Sequence, residues 1–443
     1  MSFMPNTGCL IYTRVPPERR PQPRMRRGLD SLRIFDEPEF RYLAAADLDR
    51  RRCGFAVLAV SYAIRAALGL VMPIWESELG WSRSFVSSVG AMALVVMAVI
   101  APLSGRLVDK HGARLTLCLG LAVLALGSSL VAVTDNRIVF LLAFGGLSAV
   151  GFGIAAWHVV STAIVRVVTS HIGLANGIAN TGSSAGHFLV VPLLAIILAA
   201  VSWQWCFIAL ALASAALVPL IWSTLGAAAG PGDRGETAKG TGLASDLGYL
   251  VRQPSFHLLF WSFFLCGYTT TGVIETHFLP YASFCGFGPV PSATAFGFLS
   301  LVNMAGMLIA GWLTDRMNRR LLLGSIYVIR GVSFVVLMHV GADIDTLFLF
   351  SALFGVVDYS TVPVTVSLAA SHLGVRLLGL TMGLIAAGHN VGAAVGAFLG
   401  GYLFDLYARY DWVWISSVWL ALLAGAMAFF LREGRPRQTP VRA

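Results

Sequence analysis

Only a few residues in the apolar parts of this chain are equipped for chemistry. Arg65 lies in SYAIRAALG, Asp358 in FGVVDYST and Glu275 in GVIETHF, each within a long apolar run. A charge inside hydrocarbon costs at least ~2.5–3.5 kcal/mol on insertion scales, so each of these residues needs a reason to be there. A guanidinium facing an internal cavity can hold a carboxylate through two parallel hydrogen bonds. The alternative for Arg65 is a structural pair with an acid such as Asp358. A carboxyl withdrawn from water disfavours its charged form and becomes a proton carrier. Asp358 is the first candidate for that role and Glu275 the second, since Glu275 falls near the outer end of its run, where it can meet water. His277 is two residues further on and points elsewhere on a helix, so a Glu–His metal or proton pair is not expected. His187 and His389 are suited to coupling a proton or binding an anion, or to an interhelical hydrogen bond. Asn180 and Asn390 add hydrogen-bonding capacity beside them. Tyr62, Tyr268 and Asn303 are further candidates to line a cavity, whereas His158, beside Trp157, reads as structural.

The elements that position these groups are membrane-spanning helices. The chain is 57% hydrophobic and 12% charged, with a mean hydropathy of +0.77, whereas about one quarter of a soluble domain is charged. Twelve apolar stretches approach the ~20 residues needed to cross a bilayer: 54–75, 85–104, 113–133, 138–165, 173–200, 203–224, 256–281, 293–313, 321–340, 345–370, 377–403 and 412–431. Glycine is dense in several of them, as small residues are where helices pack closely in lipid. The expected fold class is an all-α membrane protein.

The net charge of +9 is explained by topology. With both termini cytoplasmic, all the basic residues lie on the cytoplasmic side except Arg83, Arg137 and Arg409 outside and Arg65 and Arg330 within spans. That is the positive-inside pattern of an inner-membrane protein. The basic segment Arg14–Arg52 is then expected to meet anionic lipid rather than nucleic acid. It carries no signal-peptide pattern, it reads as partly disordered, and Met25 is an alternative start. The six cysteines form no CxxC pair, and Cys118, Cys206 and Cys266 read as small packing residues. No metal site, cofactor or catalytic motif is apparent, so an enzyme is not expected.

One short pattern occurs twice. GRLVDKHGAR runs from Gly105 to Arg114, and GWLTDRMNRR runs from Gly311 to Arg320, an offset of 206. The same offset relates Gly177, Gly182 and Gly186 to Gly383, Gly388 and Gly392, and Tyr62 to Tyr268. The chain therefore divides into a basic N-terminal segment (1–52), a six-helix half (53–224), a polar linker (225–255), a second half (256–432) and a tail (433–443). Within the linker, Asp246 to Arg252 is expected to form a short amphipathic helix.

Twelve spans, a 6+6 duplication, a central polar loop and GxxxD[RK]xxxR between the second and third spans resemble the major facilitator superfamily. Glu78–Ser84 (ELGWSRS), Ala101–Leu107 (APLSGRL), Thr276–Tyr281 (THFLPY) and Asn303–Gly306 (NMAG) resemble its bacterial branch of monocarboxylate porters and oxalate/formate antiporters. The resemblance implies a monomeric secondary transporter that rocks two halves about a central site. It also implies that Gly105, Arg106, Asp109 and Arg114 latch the cytoplasmic side against the start of the eleventh span. Gly311, Asp315, Arg316 and Arg320 would be the pseudo-symmetric copy. A carboxylate near a helix N-terminus gains roughly 0.3–1 kcal/mol, up to ~2 when partly buried. The bland alternative is that these loops supply only topology charges and tight turns. The implied activity is proton-linked transport, as a symporter, of a small monocarboxylate-like anion. Related carriers bear charges in the eighth span, but AFGFLSLVNMAGMLIAG has none, and the eleventh has His389 where a lysine is expected. Arg65 and the histidines would then take over that role. The rivals are an efflux carrier for apolar or cationic compounds, disfavoured because GPxxGG is absent from the fifth span, and a non-transporting membrane sensor.

Overall fold

The computed structural model describes residues 38–168, 171–225 and 242–432, without side chains at 38–51, 83, 84, 167 and 289. Most of the basic arm, Met25, the central part of the linker and the tail lie outside the described residues. The spans lie in one compact unit, Ala46–Ala443; Met1–Ala45 is a separate unit.

Eleven helices are long and apolar enough to cross a membrane, and no strand occurs among the described residues. They are Arg52–Glu78, Phe85–Ala132, Arg137–Arg166, Ile172–Ala200, Trp203–Thr224, Pro254–Phe284, Val290–Thr314, Arg319–Met338, Ile344–Leu373, Leu378–Tyr407 and Asp411–Phe429. Phe85–Ala132 is two spans folded at Gly112, whose φ of 81° and ψ of 167° break the helix. A residue with a Cβ would be strained there. The corresponding turn of the second half carries Asn318 instead, which caps the next helix through its side chain at Leu321 N, 3.2 Å away. Twelve crossings result, numbered below as first to twelfth span. The linker helix runs Leu243–Val251, slightly ahead of the expected stretch.

Each half has its own packed interior. In the first, Trp75, Trp203, Phe140 and Phe207 are fully buried against one another. In the second, Phe334 and Trp414 are fully buried and pack with the nearly buried Tyr281 and Tyr410. Because lipid is as apolar as leucine, close packing rather than hydrophobic burial holds such helices together. The two halves meet where glycines let backbones touch. A Cβ on Gly105 would collide with the carbonyl oxygen of Gly379, and one on Gly173 with that of Gly311. These pairs are related by the same offset of 206.

Candidate functional site

Two spans depart sharply from regular helix. The fourth is interrupted at Ala155, where ψ is 52°, just before Trp157 and His158. The tenth is interrupted between Val357 and Thr361, at Asp358, Tyr359 and Ser360. The second break has a local cause. Pro363 has no N–H to offer the carbonyl of Tyr359, so the helical ladder cannot continue through it. Freed carbonyls in a membrane interior must be bonded within the protein. Arg330, fully buried in the ninth span, does this through Nη2, which donates to Val357 O at 2.6 Å and also to Asp358 O. Its Nη1 donates to Cys266 Sγ at 2.9 Å and Thr269 Oγ1 at 3.5 Å. Cys266 is therefore more than filler, and Arg330 is a brace that residue types alone did not single out. In the first half Ser104 has the parallel task, donating to Gly153 O at 2.8 Å beside the fourth-span break.

Between the two breaks lies a cavity of about 530 Å³, counting space that opens to solvent. Tyr62 and Arg65 of the first span line it, with His158, Thr271, Tyr359 and His389 among the facing residues. Asn390 also lines it. Arg65 is half-buried, with its guanidinium 5.0 Å from the centre of the Tyr62 ring. Among the described residues no carboxylate pairs with it, so the expected alternative of an Arg65–Asp358 pair is not what the structure contains. The cation beside Asp358 is Arg330. His187 sits in a π-helical turn, Gly186–Val190, with its ring edge-on to Tyr62 at 5.7 Å. His389 is buried, with Nε2 3.4 Å from Thr270 Oγ1 and its ring 5.3 Å from that of Phe263. Asn180 turns away, donating to Ser161 Oγ at 3.0 Å.

Tyr268 and Asn303 differ from expectation here, and His187 is not among the residues that line the cavity. Tyr268, the offset partner of Tyr62, does not line the cavity: a buried phenol needs a partner, and its hydroxyl lies 3.1 Å from Ser416 Oγ in the twelfth span. Thr271, the offset partner of Arg65, lines it instead. Asn303 is a buried hub rather than a cavity wall. Its Nδ2 donates to Ser184 Oγ at 3.2 Å, in the other half, and to Asp358 Oδ2 at 3.3 Å, and its Oδ1 accepts from Tyr359 N at 3.2 Å. Glu275 is exposed, but it is also held by the cavity: the Tyr359 hydroxyl donates to its Oε1 at 2.7 Å. A smaller cavity, lined by Asp358, Tyr359, Trp157 and His389 among others, adjoins the first and shares those last three residues with it.

On the side of the duplicated loops, the halves are joined by helix caps supplied in trans. The fifth and eleventh spans begin after His171 and Leu377, and neither residue caps its own helix through a side chain. Good N-caps are Ser, Thr, Asp or Asn. Asp109 of the first half accepts from Gly379 N at 2.9 Å and Leu380 N at 2.7 Å. Asp315 of the second half accepts from Gly173 N at 2.8 Å and Leu174 N at 2.9 Å. Asp109 also pairs with Arg166, which in turn donates to Val108 O. The arginines of the two motifs are elsewhere. Arg106 pairs with Asp246 of the linker helix at 3.1 Å. Arg114 stacks on Trp222 of its own half at 3.7 Å, and Arg316 on Trp312 at 4.3 Å. The Nε of Arg320 is buried without a partner. Arg106 reaches the start of the eleventh span through Asp246, which also pairs with Arg376, while Arg114 and Arg316 lie over aromatic faces.

Comparisons with known proteins agree with this architecture. A family model described as Major Facilitator Superfamily matches residues 54–357 and 306–443. Human monocarboxylate transporter 11 is 24% identical over 95% of this chain and 91% of its own length. Rat monocarboxylate transporter 13 is 26% identical over 80% and 81%. Among solved structures, the human organic anion transporter MFSD10 superposes with a TM-score of 0.69 at 17% identity, covering 88% of this chain and all of its own. The Escherichia coli fucose:proton symporter does so with a TM-score of 0.67 at 16% identity, covering 86% and 98%. At such identity the structural likeness speaks for the fold alone.

Proposed function

Because this chain belongs to the major facilitator superfamily and is therefore a multi-pass membrane transporter rather than an enzyme, we propose that it carries a small monocarboxylate-like anion by alternating access, coupled to protons. The observation that carries this reading is Arg65: a guanidinium on the cavity wall, midway along the first span, without an acidic partner among the described residues. A desolvated cation of that kind is costly unless a ligand completes it, and its planar donors match a carboxylate. His187, His389, Asn390 and Tyr62 complete the substrate contacts.

Asp358 is the proton carrier in this reading, with Glu275 as the acid nearer the outside. Through Asn303, the Asp358 carboxylate is linked to Ser184 of the opposite half, so its charge state bears on a contact that must change when the halves rock. Asp109 and Asp315 are the gates. With the loop side cytoplasmic, as the distribution of Lys and Arg supports, the protein is closed toward the cytoplasm. It works as a monomer in the inner membrane, in contact with lipid. Uptake of labelled lactate, pyruvate and related acids into proteoliposomes, with and without an inward proton gradient, tests the reading. Failure of every carboxylate to enter faster under the gradient would overturn it.

A further inference from the structure

The two helix breaks do more than free carbonyls: each sets an aromatic residue on the wall between the two cavities. Arg65 lines the larger cavity and Asp358 the smaller, and the residues that line both are Trp157, Tyr359 and His389. Trp157 begins the helix after the fourth-span break, following Ala156 in extended backbone with φ of −110° and ψ of 162°. Tyr359 lies inside the tenth-span break. The fourth and tenth spans hold corresponding places in the two halves, so each half contributes an aromatic ring to a common septum.

Tyr359 and His389 are held within the second half. The hydroxyl of Tyr359 donates to Glu275 and its N–H to Asn303, and the His389 ring lies 5.3 Å from that of Phe263. Trp157 is the leaf supplied by the first half. It is half-buried, its ring lies 5.2 Å from that of Phe263, and it packs against buried apolar side chains of both halves. Behind it the smaller cavity, about 220 Å³ on the same measure as the larger, has Phe263 and Val362 in its wall beside Asp358. Apolar surface of that kind attracts any apolar group that can leave water to reach it. The space behind the indole would therefore hold a long or aromatic tail if it were open.

We propose that Trp157 is a specificity-determining residue: as the first half's leaf of the septum, it confines the carried acid to the Arg65 cavity and excludes acids whose tails need the space around Asp358. The proposal rests on the carboxylate reading of Arg65 and adds a size class to it, an acid with a short tail. The indole rides on one half, and Tyr359 and His389 ride on the other. A tail wedged between them would hold the halves apart, so the exclusion acts on transport as well as on entry.

The septum is tested without any substrate. Cys266 is 2% exposed and lines the smaller cavity but not the larger, so its thiol reports whether the septum is shut. Purified protein in detergent is treated with a maleimide, and modification of the Cys266 peptide is followed by mass spectrometry. The parent and Trp157→Phe should react slowly, and Trp157→Ala and Trp157→Val clearly faster. Reaction of the parent as fast as the unfolded chain would overturn the septum without any variant having to fold. Selection is tested by proteoliposome uptake of labelled lactate and phenyllactate, corrected for entry into protein-free liposomes. The parent should favour lactate in kcat/KM. In Trp157→Ala the ratio should shift toward phenyllactate by roughly tenfold or more, the worth of burying a phenyl side chain, while Trp157→Phe stays close to the parent. A tryptophan that merely packed would lower uptake of both acids alike. That result, or faster Cys266 labelling with an unchanged ratio, would overturn the proposal. Uptake of neither acid by the parent, with Cys266 shielded, would instead overturn the carboxylate reading and the size selection with it, leaving the septum in place.

Discussion

Removing the Asp109 carboxylate should open the loop side far more than removing Asp315, although the two are copies of one motif. The eleventh span has no cap of its own, so Asp109→Ala leaves the amides of Gly379 and Leu380 without acceptors. Loss of an N-cap costs ~0.5–2 kcal/mol, and loss of a partly buried charge at a helix N-terminus up to ~2 kcal/mol. Arg166 loses its ion-pair partner in addition. Together these give about 2–4 kcal/mol against the closed state, or roughly 30- to 1,000-fold in the gate equilibrium at 1.4 kcal/mol per decade. Asp315 makes the same two amide bonds, but it is exposed and has no arginine among its bonded partners. Asp315→Ala should cost about 1–2 kcal/mol, near the cap value alone. The assay is alkylation of Thr381→Cys, a position fully buried at the start of the eleventh span, measured from the loop side over the background of the native cysteines. Labelling should accelerate strongly with Asp109→Ala, weakly with Asp315→Ala and to an intermediate degree with Asp109→Asn. Equal acceleration by the two alanine variants, or none by either, would refute the account of trans capping.

Arg65→Gln should weaken carboxylate uptake by roughly 10- to 100-fold, the worth of a charge-assisted hydrogen bond, with membrane expression unchanged; KM and flow-cytometric or blot quantification together check this. Asp358→Asn should transport at a rate indifferent to the proton gradient while still exchanging labelled for unlabelled substrate, measured as counterflow. Arg330→Leu should strand the carbonyls of Val357 and Asp358 and destabilise the fold by about 3–5 kcal/mol, the range for breaking a buried charged contact, seen as a large drop in melting temperature in detergent.

The two-fold plan was readable because a single offset links polar loops, glycines and an aromatic; five of those six glycines stand where backbones touch, and Gly388 stands against the Phe260 ring. The place of Asp109 beside the start of the eleventh span came from the family resemblance, whereas the lack of a side-chain cap at His171 and Leu377 is visible only in the fold. Side-chain partners deeper in the bundle were another matter. A helix that is apolar all round has no face that the sequence marks as inward, so nothing told that Arg114 would stack on Trp222 or that Tyr268 would turn to Ser416. Arg330 was visible as a buried charge, but its task depends on a helix break that Pro363 causes in a different span. His158 read as structural, and its anchor, Ser104 of another helix, appears only in the fold. What composition exposed was the price of burying a polar group; which neighbour settles it is a property of packing.

The linker has a practical bearing. Asp246 accepts from Arg106 of the first half at 3.1 Å and from Arg376 of the second at 3.4 Å, and it is almost fully buried. The stretch that joins the halves along the chain therefore also clasps them in space. Anyone inserting a fusion partner or an affinity tag into this transporter should place it ahead of Gly242 and leave the helix Leu243–Val251 intact. Replacing that helix with a flexible spacer would yield a protein of normal topology whose two halves swing apart more readily than in its parent.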